Sequence, residues 1–557
     1  MGSRACLYIA AFLGLSILFF GFRSCAHAAA TDIYIAQNAT GTANGADCND
    51  AYAVSFFDTS SNWASTPTVG KISPGTTVHL CGTITAPGGT YNQFNFQDSG
   101  TAGDPITLQF DPTTGGNISL TTQMTGSIIA LDGYNYITII GHSSEGTSPD
   151  CQATQNGSPP LAYQNDFSCI EASGSSNVTV SNFGCANLYQ HTSASDTAAP
   201  SDTTGCFHAN PIGANVTIHD FTFHDADAGI IAFAGGTSGS ANFNVYNGNL
   251  YNINHDVELV CGSATALSGV AFHDSQIHDP ANWDTMAGVY HHDGLFVQGP
   301  GTGGCSSVYD YNNWYYGNWG STGGTSPIFL DADVDTAIYV FNDVFTNTPT
   351  AADGITLSGN GTIFAYNNTG ISGSTGGLGL KMTNVVDMRN NVLTGYSTFV
   401  QNAGSGFSIA AMDYNAYANL YPSGNQAFYF NSSSSNGSSL TSQFSSWQGI
   451  VQALTPGSES HSVTTSSANL NSYGVPQAGS FVIGAGVNLC NGIVSCTGNL
   501  AALANDTSLG NTRTPTARPS TGAWDIGAYQ YTTSTPASTF SLSLSGFLKL
   551  LGKVLFL

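Results

Sequence analysis

The sequence predicts an all-β solenoid, a parallel β-helix. Three observations predict it: a turn-rich, helix-poor composition, a short phrase that recurs along the middle of the chain, and two-residue alternation of apolar side chains within each phrase.

Composition comes first. A length of 557 residues would suggest three or four domains unless one elongated repeat absorbs most of them. Charged residues are only 8 % and the acids are thirty Asp against four Glu. Asp suits turns and Glu suits helices, so this is a β chain rich in turns.

The recurring phrase is apolar-x-apolar-x-Asn/Asp, as in NVTVSN, FNVYN, IYVFN and VDMRN. It ends at Asn182, Asp220, Asn247, Asp274, Asn312, Asn342, Asn367, Asn390 and Asn415, with intervals of 38, 27, 27, 38, 30, 25, 23 and 25 residues. A floor near two dozen with insertions is the signature of coils carrying loops of varied length. One strand per coil cannot bury its face alone, so coils stack about 4.8 Å apart. Each terminal Asn then falls above the next, where side-chain amides hydrogen-bond in a row. A second strand follows each phrase, visible as AGIIAFAG, DVELVCG, DGLFVQG, PIFLDAD, DGITLSG and GLGLKMT.

Three further stretches are GTAGDPITLQF ending at Phe110, PGTTVHLCGTIT at 74–85 and RPSTGAWDIGAYQY at 518–531. Together they resemble the opening and closing segments of bacterial right-handed parallel β-helix proteins of the pectate-lyase-like superfamily, over most of residues 31–531. The resemblance implies a right-handed parallel β-helix with an N-terminal cap and a C-terminal closing segment. It leaves activity open, because that fold carries lyases, glycosidases, adhesins and structural proteins. The expected organisation is a cap with first coils over 29–125, the β-helix over 126–425, and a Ser/Asn/Gly-rich segment with the closing motif over 426–531. A linker and short apolar tail follow over 532–557.

The first 28 residues, ending Ala-His-Ala, read as a secretory signal. Removing them leaves seven Lys or Arg (nine less Arg4 and Arg23) against 34 acids, a charge of 7 − 34 = −27. Nucleic acid is excluded as a partner, since phosphate neutralisation needs basic patches. Ten cysteines remain, and in an exported chain an even count reads as disulfides. Sequence proximity pairs Cys48 with Cys81, Cys151 with Cys169, Cys185 with Cys206, Cys261 with Cys305, and Cys490 with Cys496. The expected location is secreted or cell-surface, extracellular or periplasmic, as a monomer. The tail FLKLLGKVLFL is too short for an ordinary membrane span of about 20 residues, so membrane contact is confined to that tail.

Loop length points to a cleft. About ten residues separate the ladder residue from the second strand after Asp220, Asn247, Asn367 and Asn390, against about twenty after Asp274 and sixteen after Asn312. These two long, consecutive loops carry Trp283, Tyr290, Trp314, Tyr315, Tyr316 and Trp319, flat faces that suit a sugar ring. Each ring alone is as well explained by packing onto the rod.

Matching apolar residues aligns the second strands with Val257, Leu259, Leu295, Val297, Ile328, Leu330, Ile355, Leu357, Leu378 and Leu380 inward. The outward rows are then Asp256, Gly294, Pro327, Gly354, Gly377; Glu258, Phe296, Phe329, Thr356, Gly379; and Val260, Gln298, Asp331, Ser358, Lys381. Asp293 falls at a bend just before its strand, with His292 projecting toward the long loop. This surface, with Phe296 and Gln298 among its contacts, reads as a polysaccharide groove.

Three chemistries fit it. β-Elimination of a uronate needs a base and an ion at the carboxylate: Asp331, Asp333 and Asp335 could hold Ca²⁺, and Lys381 shares the Asp331 row two coils on, about 10 Å away. Calcium-dependent pectate lyases use a comparable Asp cluster with a Lys base, so the arrangement resembles theirs, although arginine is scarce and no family signature surrounds the lysine. Hydrolysis needs two carboxyls about 5–9.5 Å apart, and Asp256, Glu258, Asp293 and Asp331 supply several such pairs. A neutral glycan also avoids the repulsion that a polyanion meets at this net charge. Zinc on His278, His291 and His292 with neighbouring Asp is the weakest of the three, since adjacent histidines point to opposite sides of a strand. Outside enzymes, the same features describe an acidic, disulfide-tied adhesin or structural rod that only binds glycan.

Overall fold

The computed structural model describes residues 32–532, apart from 87–92, 121–125, 143–148, 154–167, 189–204, 235–241, 262–266, 281–291, 300–304, 320–325, 333–336, 349–352, 360–361, 373–376, 383–384, 403–407, 422–424, 431–432 and 435–436. The expected signal segment and the apolar tail lie outside the described residues. The chain winds into a right-handed parallel β-helix. Among the described strands the pairing is parallel throughout, except between Phe428–Phe430 and Ser433–Ser434.

Each coil carries three strands where the sequence predicts two. In one coil, Phe243–Val260 runs unbroken through all three sheets, and its register against Val216–Phe233 holds from Val216↔Phe243 to Phe233↔Val260. The first sheet holds the predicted phrases and the third holds the predicted second strands. The second sheet, made of pieces such as Gln276–His278, Trp314–Tyr316 and Val392–Thr394, follows the ladder residue with no turn signal between them. Only one bent residue marks that corner, which is why the pattern hides it.

That residue is left-handed in eight successive coils: Asn182, Asp220, Asn247, Asp274, Asn312, Asn342, Asn367 and Asn390 have φ of 52–61°. Asn and Asp adopt this conformation at least cost among residues with a side chain. Some of their amides do bond in a row, as Asn247 Nδ2 to Asp220 Oδ1 (3.1 Å) and Asn390 Nδ2 to Asn367 Oδ1 (3.0 Å). In the last coil the register pairs Arg389 with Asp413, so Tyr414 (φ 57°) takes the corner and Asn415 comes one place later.

Asn415 belongs instead to a continuous inner ladder, one residue past the corner. The backbone N–H of Gly248 donates to Ser275 Oγ (3.0 Å), Ser275 to Asn313 Oδ1 (2.8 Å), Asn313 to Asp343 Oδ1 (2.7 Å) and Asp343 to Asn368 Oδ1 (3.0 Å). It goes on from Asn368 to Asn391 Oδ1 (3.0 Å), Asn391 to Asn415 Oδ1 (3.0 Å) and Asn415 to Ser462 Oγ (2.7 Å). These N–H groups are buried at a corner where no strand can accept them, so each coil's side chain satisfies its neighbour's backbone.

The stack begins at once: Ile33–Ala36 pairs with Thr77–Cys81, and that strand with Ile106–Phe110. At the other end the helix Leu440–Leu454 starts from a capping box on Ser439 and buries Phe444, Trp447 and Val451, with Trp447 stacked on Phe428 at 5.4 Å. The chain then runs back along the ladder corner. Asn342 Nδ2 donates to the carbonyls of Ala502 (3.2 Å) and Asn505 (3.1 Å), and Gly527 N–H donates to Asn390 O (2.7 Å). The motif at 518–531 therefore lies on the flank. Its Arg518 is buried, donates to the carbonyls of Gly527 (3.0 Å) and Ala528 (3.1 Å), and sits 5.3 Å from the Trp524 ring. Burial lowers that guanidinium to about 10.

All five cysteine pairs form as predicted. Bonds of this kind persist in an oxidising compartment, which fits an extracellular setting. No helix among the described residues is long and apolar enough to cross a membrane.

Candidate active site

The third sheet carries the site, and its register differs from the sequence expectation by two residues at one coil. Ile355 pairs with Leu380 and Thr356 with Lys381. The GLGLKM stretch places apolar residues at 378, 380 and 382, so a slip of two leaves the faces unchanged and apolar matching cannot detect it. Leu380 is buried while Leu378 is only partly so, and Leu378 is not an inward core residue. Lys381 consequently leaves the Asp331 row. It stands in the row Glu258, Phe296, Phe329, Thr356, Lys381, four rungs from Glu258. Lys381 and Asp331 therefore stand on neighbouring outward rows, two coils apart, and not in one row.

A second correction concerns Asp256. By register it lies level with Gly294, and a side chain grown on Gly294 would meet the Tyr315 ring at 2.8 Å. Gly229, in the same row, would meet Leu250 at 3.0 Å, and Gly379 would meet Leu393 at 3.2 Å. The glycines are there because this row points into the rod, not out of it. Asp256 and Val257 therefore both turn inward as the strand rounds into the third sheet. Asp256 is fully buried, neither carboxylate oxygen has a hydrogen-bond partner, and burial holds its pKa well above the ordinary value. It is an interior acid and not a groove residue.

Because two successive residues face in, the residue before them faces out. The row His255, Asp293, Ser326 thus joins the groove side. Asp293 opens its strand, Asp293–Gln298, instead of preceding it at a bend. His255 lies 5.1 Å from the Phe296 ring. Its Nδ1 is 3.3 Å from Glu258 Oε2, and its Nε2 is 3.8 Å from Asp293 Oδ2. Gln298 Nε2 donates to Glu258 Oε1, and Ser326 N–H donates to Asp293 Oδ1 (3.0 Å).

This places one imidazole between carboxyls from two adjacent coils. Burial alone would lower the His255 pKa, but the hydrogen bond and charge of Glu258, with the charges of Asp293 and Asp227, raise it to about 9. Burial raises Asp293 to about 7, against the pull of His255 and of the Ser326 N–H. Asp293 and Glu258 are almost wholly covered, whereas 19 % of the His255 side chain is exposed, so the imidazole is the member that faces solvent. Asp293 Oδ2 and His255 Nε2 both lack a hydrogen-bond partner.

The remaining candidates divide. Phe296 and Phe329 are half-buried, 5.4 Å apart, on the outward row beside Glu258. His292 is buried beside Asp293 in sequence. Trp319 is fully buried with its N–H on the Tyr316 carbonyl (3.0 Å), so it packs the rod and offers no platform. Trp314 belongs to the second sheet, stacks on Tyr316 at 3.9 Å and donates to Thr346 Oγ1 (3.0 Å). Trp283, Tyr290, His291, Asp333 and Asp335 lie outside the described residues, and Asp331 is described only in its backbone, paired with Gln298 and Ser358. Among the described residues no group of three or more His, Cys, Asp or Glu is arranged to hold a metal ion.

Sequence reasoning missed His255. The signal was present in HDVE, a histidine three residues before Glu258, but two-residue alternation assigns it to the core face. A second pair, Glu171 with His208 Nδ1 (2.5 Å), stands on the outward row of Glu258 two and three coils earlier.

No family model matches the chain, and no curated protein matches it. Among solved structures, one similarity is to the crystal structure of pectate lyase Pel9A, at 14 % identity with a TM-score of 0.34, covering 90 % of this chain and 96 % of that one. A similarity of that size carries no argument about chemistry.

Proposed function

We propose that this chain is a polysaccharide-active β-helix protein that hydrolyses a neutral glycan with the carboxyl pair Glu258 and Asp293, linked by His255. One observation carries the reading: His255 spans two carboxyls of adjacent coils, and burial keeps one of them near a neutral pKa. Hydrolysis of a glycosidic bond needs one carboxyl protonated and one ionised. Burial raises Asp293 to about 7, while Glu258 accepts from the Gln298 amide and lies against His255. A sugar hydroxyl or water entering beside His255 would supply the hydrogen bonds that Nε2 and Asp293 Oδ2 lack. The imidazole faces Glu258 with one nitrogen and Asp293 with the other, so a proton can pass between the two carboxyls through it. The ring pair Phe296 and Phe329 gives the sugar an apolar contact next to the acid.

A net charge of −25 favours a neutral substrate over a uronate. The calcium-assisted elimination is the weaker reading, because Lys381 and Asp331 stand in different rows.

The test is release of reducing ends from a panel of neutral polysaccharides, compared with absorbance at 235 nm for unsaturated products. Hydrolysis that falls at least about a hundredfold in Glu258→Gln and in Asp293→Asn is expected. Full activity in both variants, or products that absorb at 235 nm, would sink the assignment. Binding without turnover by the unaltered chain would leave the adhesin reading in its place.

A further inference from the structure

The first sheet bears columns of large outward side chains that break at one coil. One column runs Thr217, Asn244, Ala271, Tyr309, Tyr339, Phe364. A parallel column of left-handed residues holds Asn177, Asn215 and Asn242, each amide donating to the previous one (Asn215 Nδ2 to Asn177 Oδ1 3.1 Å, Asn242 Nδ2 to Asn215 Oδ1 3.0 Å). The next left-handed position in the chain's following coil is Gly269 (φ 67°), which has no side chain to continue it. In one coil both columns therefore drop to Gly269 and Ala271, and an open slot of about 420 Å³ lies there.

The walls of the slot are chemically uniform. Asn215, Asn242 and Asn244 line it on one side, and Asn499 of the returning C-terminal segment also lines it. His273 is fixed there by Asp274 (Nδ1 to Oδ2, 2.6 Å) and by Asn244 (Nε2 to Oδ1, 3.1 Å), and is stacked on Tyr311 at 4.5 Å. None of the described lining residues is Asp, Glu, Lys or Arg. On the far side of Ala271 stands Tyr309, the first ring of a parallel stack with Tyr339 (5.0 Å, 9°) and Phe364. Ala271 itself is buried, in a cluster with Leu489 and Leu503 of the returning segment, and Tyr309 packs against that cluster. Amides that both donate and accept, with no charge among them, describe a site for a polyhydroxylated neutral ring.

We propose that this slot is a saccharide-binding site for one ring of a neutral polysaccharide, separate from the carboxyl site on the third sheet and not dependent on it. The slot's volume of about 420 Å³ lies in the range of small-molecule sites. It gives the rod a hold on a glycan without chemistry.

The experiment is titration calorimetry of the full chain with cello-, manno-, malto- and laminari-hexaose, and with hexagalacturonate as the charged control. Ala271→Tyr refills the broken column, and Asn244→Ala removes the central amide. At least one neutral hexaose should bind, with Kd rising about tenfold or more in each variant, while Glu258→Gln binds as the unaltered chain does. Unchanged melting temperature keeps the result free of misfolding, and Asn244→Ala decides if Ala271→Tyr does not fold. No neutral hexaose bound, equal affinity in both slot variants, or loss of binding only in Glu258→Gln would each overturn the proposal. The last outcome would return the sugar to the third sheet, whereas slot binding without hydrolysis would leave this site intact and remove the other.

Discussion

Two clusters of buried acids lie within this rod, and they differ in what surrounds them. Inside the rod, Asp310 occupies an inward position between Phe272 and Val340, where Tyr315 OH (3.0 Å) and Asn313 donate to it. Asp343 replaces the amide of the inner ladder one coil on, and burial pushes both carboxyls upward. On the third sheet, Glu258 and Asp293 are as deeply covered, yet His255 bridges them and shows an edge to the groove. Raised carboxyl pKa values occur in both clusters, so burial alone does not mark a functional site. What separates them is a titrating partner, an imidazole set between two carboxyls.

The largest expected effect breaks the comparison directly. Glu258→Gln should lower turnover by about 10²–10⁴-fold, read from initial rates. Asp310→Asn should leave turnover intact, because an amide can accept from Tyr315 as the acid does. A similar loss in both variants would make the two clusters one system.

Next in size are changes in the packing that both clusters share. Leu295→Ala opens a cavity in the main core and should cost about 2–5 kcal/mol in urea unfolding. Asn368→Ala removes the acceptor of Asp343 N–H and the donor to Val340 O (2.9 Å), and should cost about 2–3 kcal/mol or more.

The third prediction uses pH. The folded pKa of His255, about 9, exceeds the unfolded value, so its stabilisation is full below about pH 6.5 and is lost as pH rises through 9. For Asp293 the folded state prefers the proton, so stability also falls as pH rises from about 4 through 7. The melting temperature should therefore decline from pH 6.5 to 9, with a His255 contribution on the order of 3 kcal/mol that His255→Gln abolishes. A flat profile in the unaltered chain would remove the bridged arrangement. The smallest effect is at Lys381: four rungs from Glu258, about 19 Å at the coil spacing, Lys381→Ala should change turnover less than about twofold.

How far the sequence could be read depends on which residue is asked. Asn247, Asp274 and Asn312 announce the coil corner, because the bend needs a left-handed residue and few side chains tolerate one. The inner ladder of Asn313, Asn368 and Asn391 stood one place later, visible as doubled Asn-Asn at 312–313, 367–368 and 390–391, with both members explained only once two stacks are seen. Asp256 was assigned to the side opposite the one it occupies, and the same alternation would turn His255 toward the core. Strict alternation has no term for a strand that turns two neighbours inward at a corner. Lys381 was set two places off because apolar period two is blind to even slips.

The amino-acid pattern by itself determined that the chain coils, that its coils stack in parallel, and which cysteines meet. Those follow from local period and from short chain separation, which act before any distant contact forms. Only the tertiary structure decided which carboxyls share the groove with His255 and where the first-sheet columns fall away to Gly269 and Ala271. Rung-to-rung register and corner geometry are set by the fit of side chains from different coils, such as Gly294 beneath Tyr315, and no single coil contains that information.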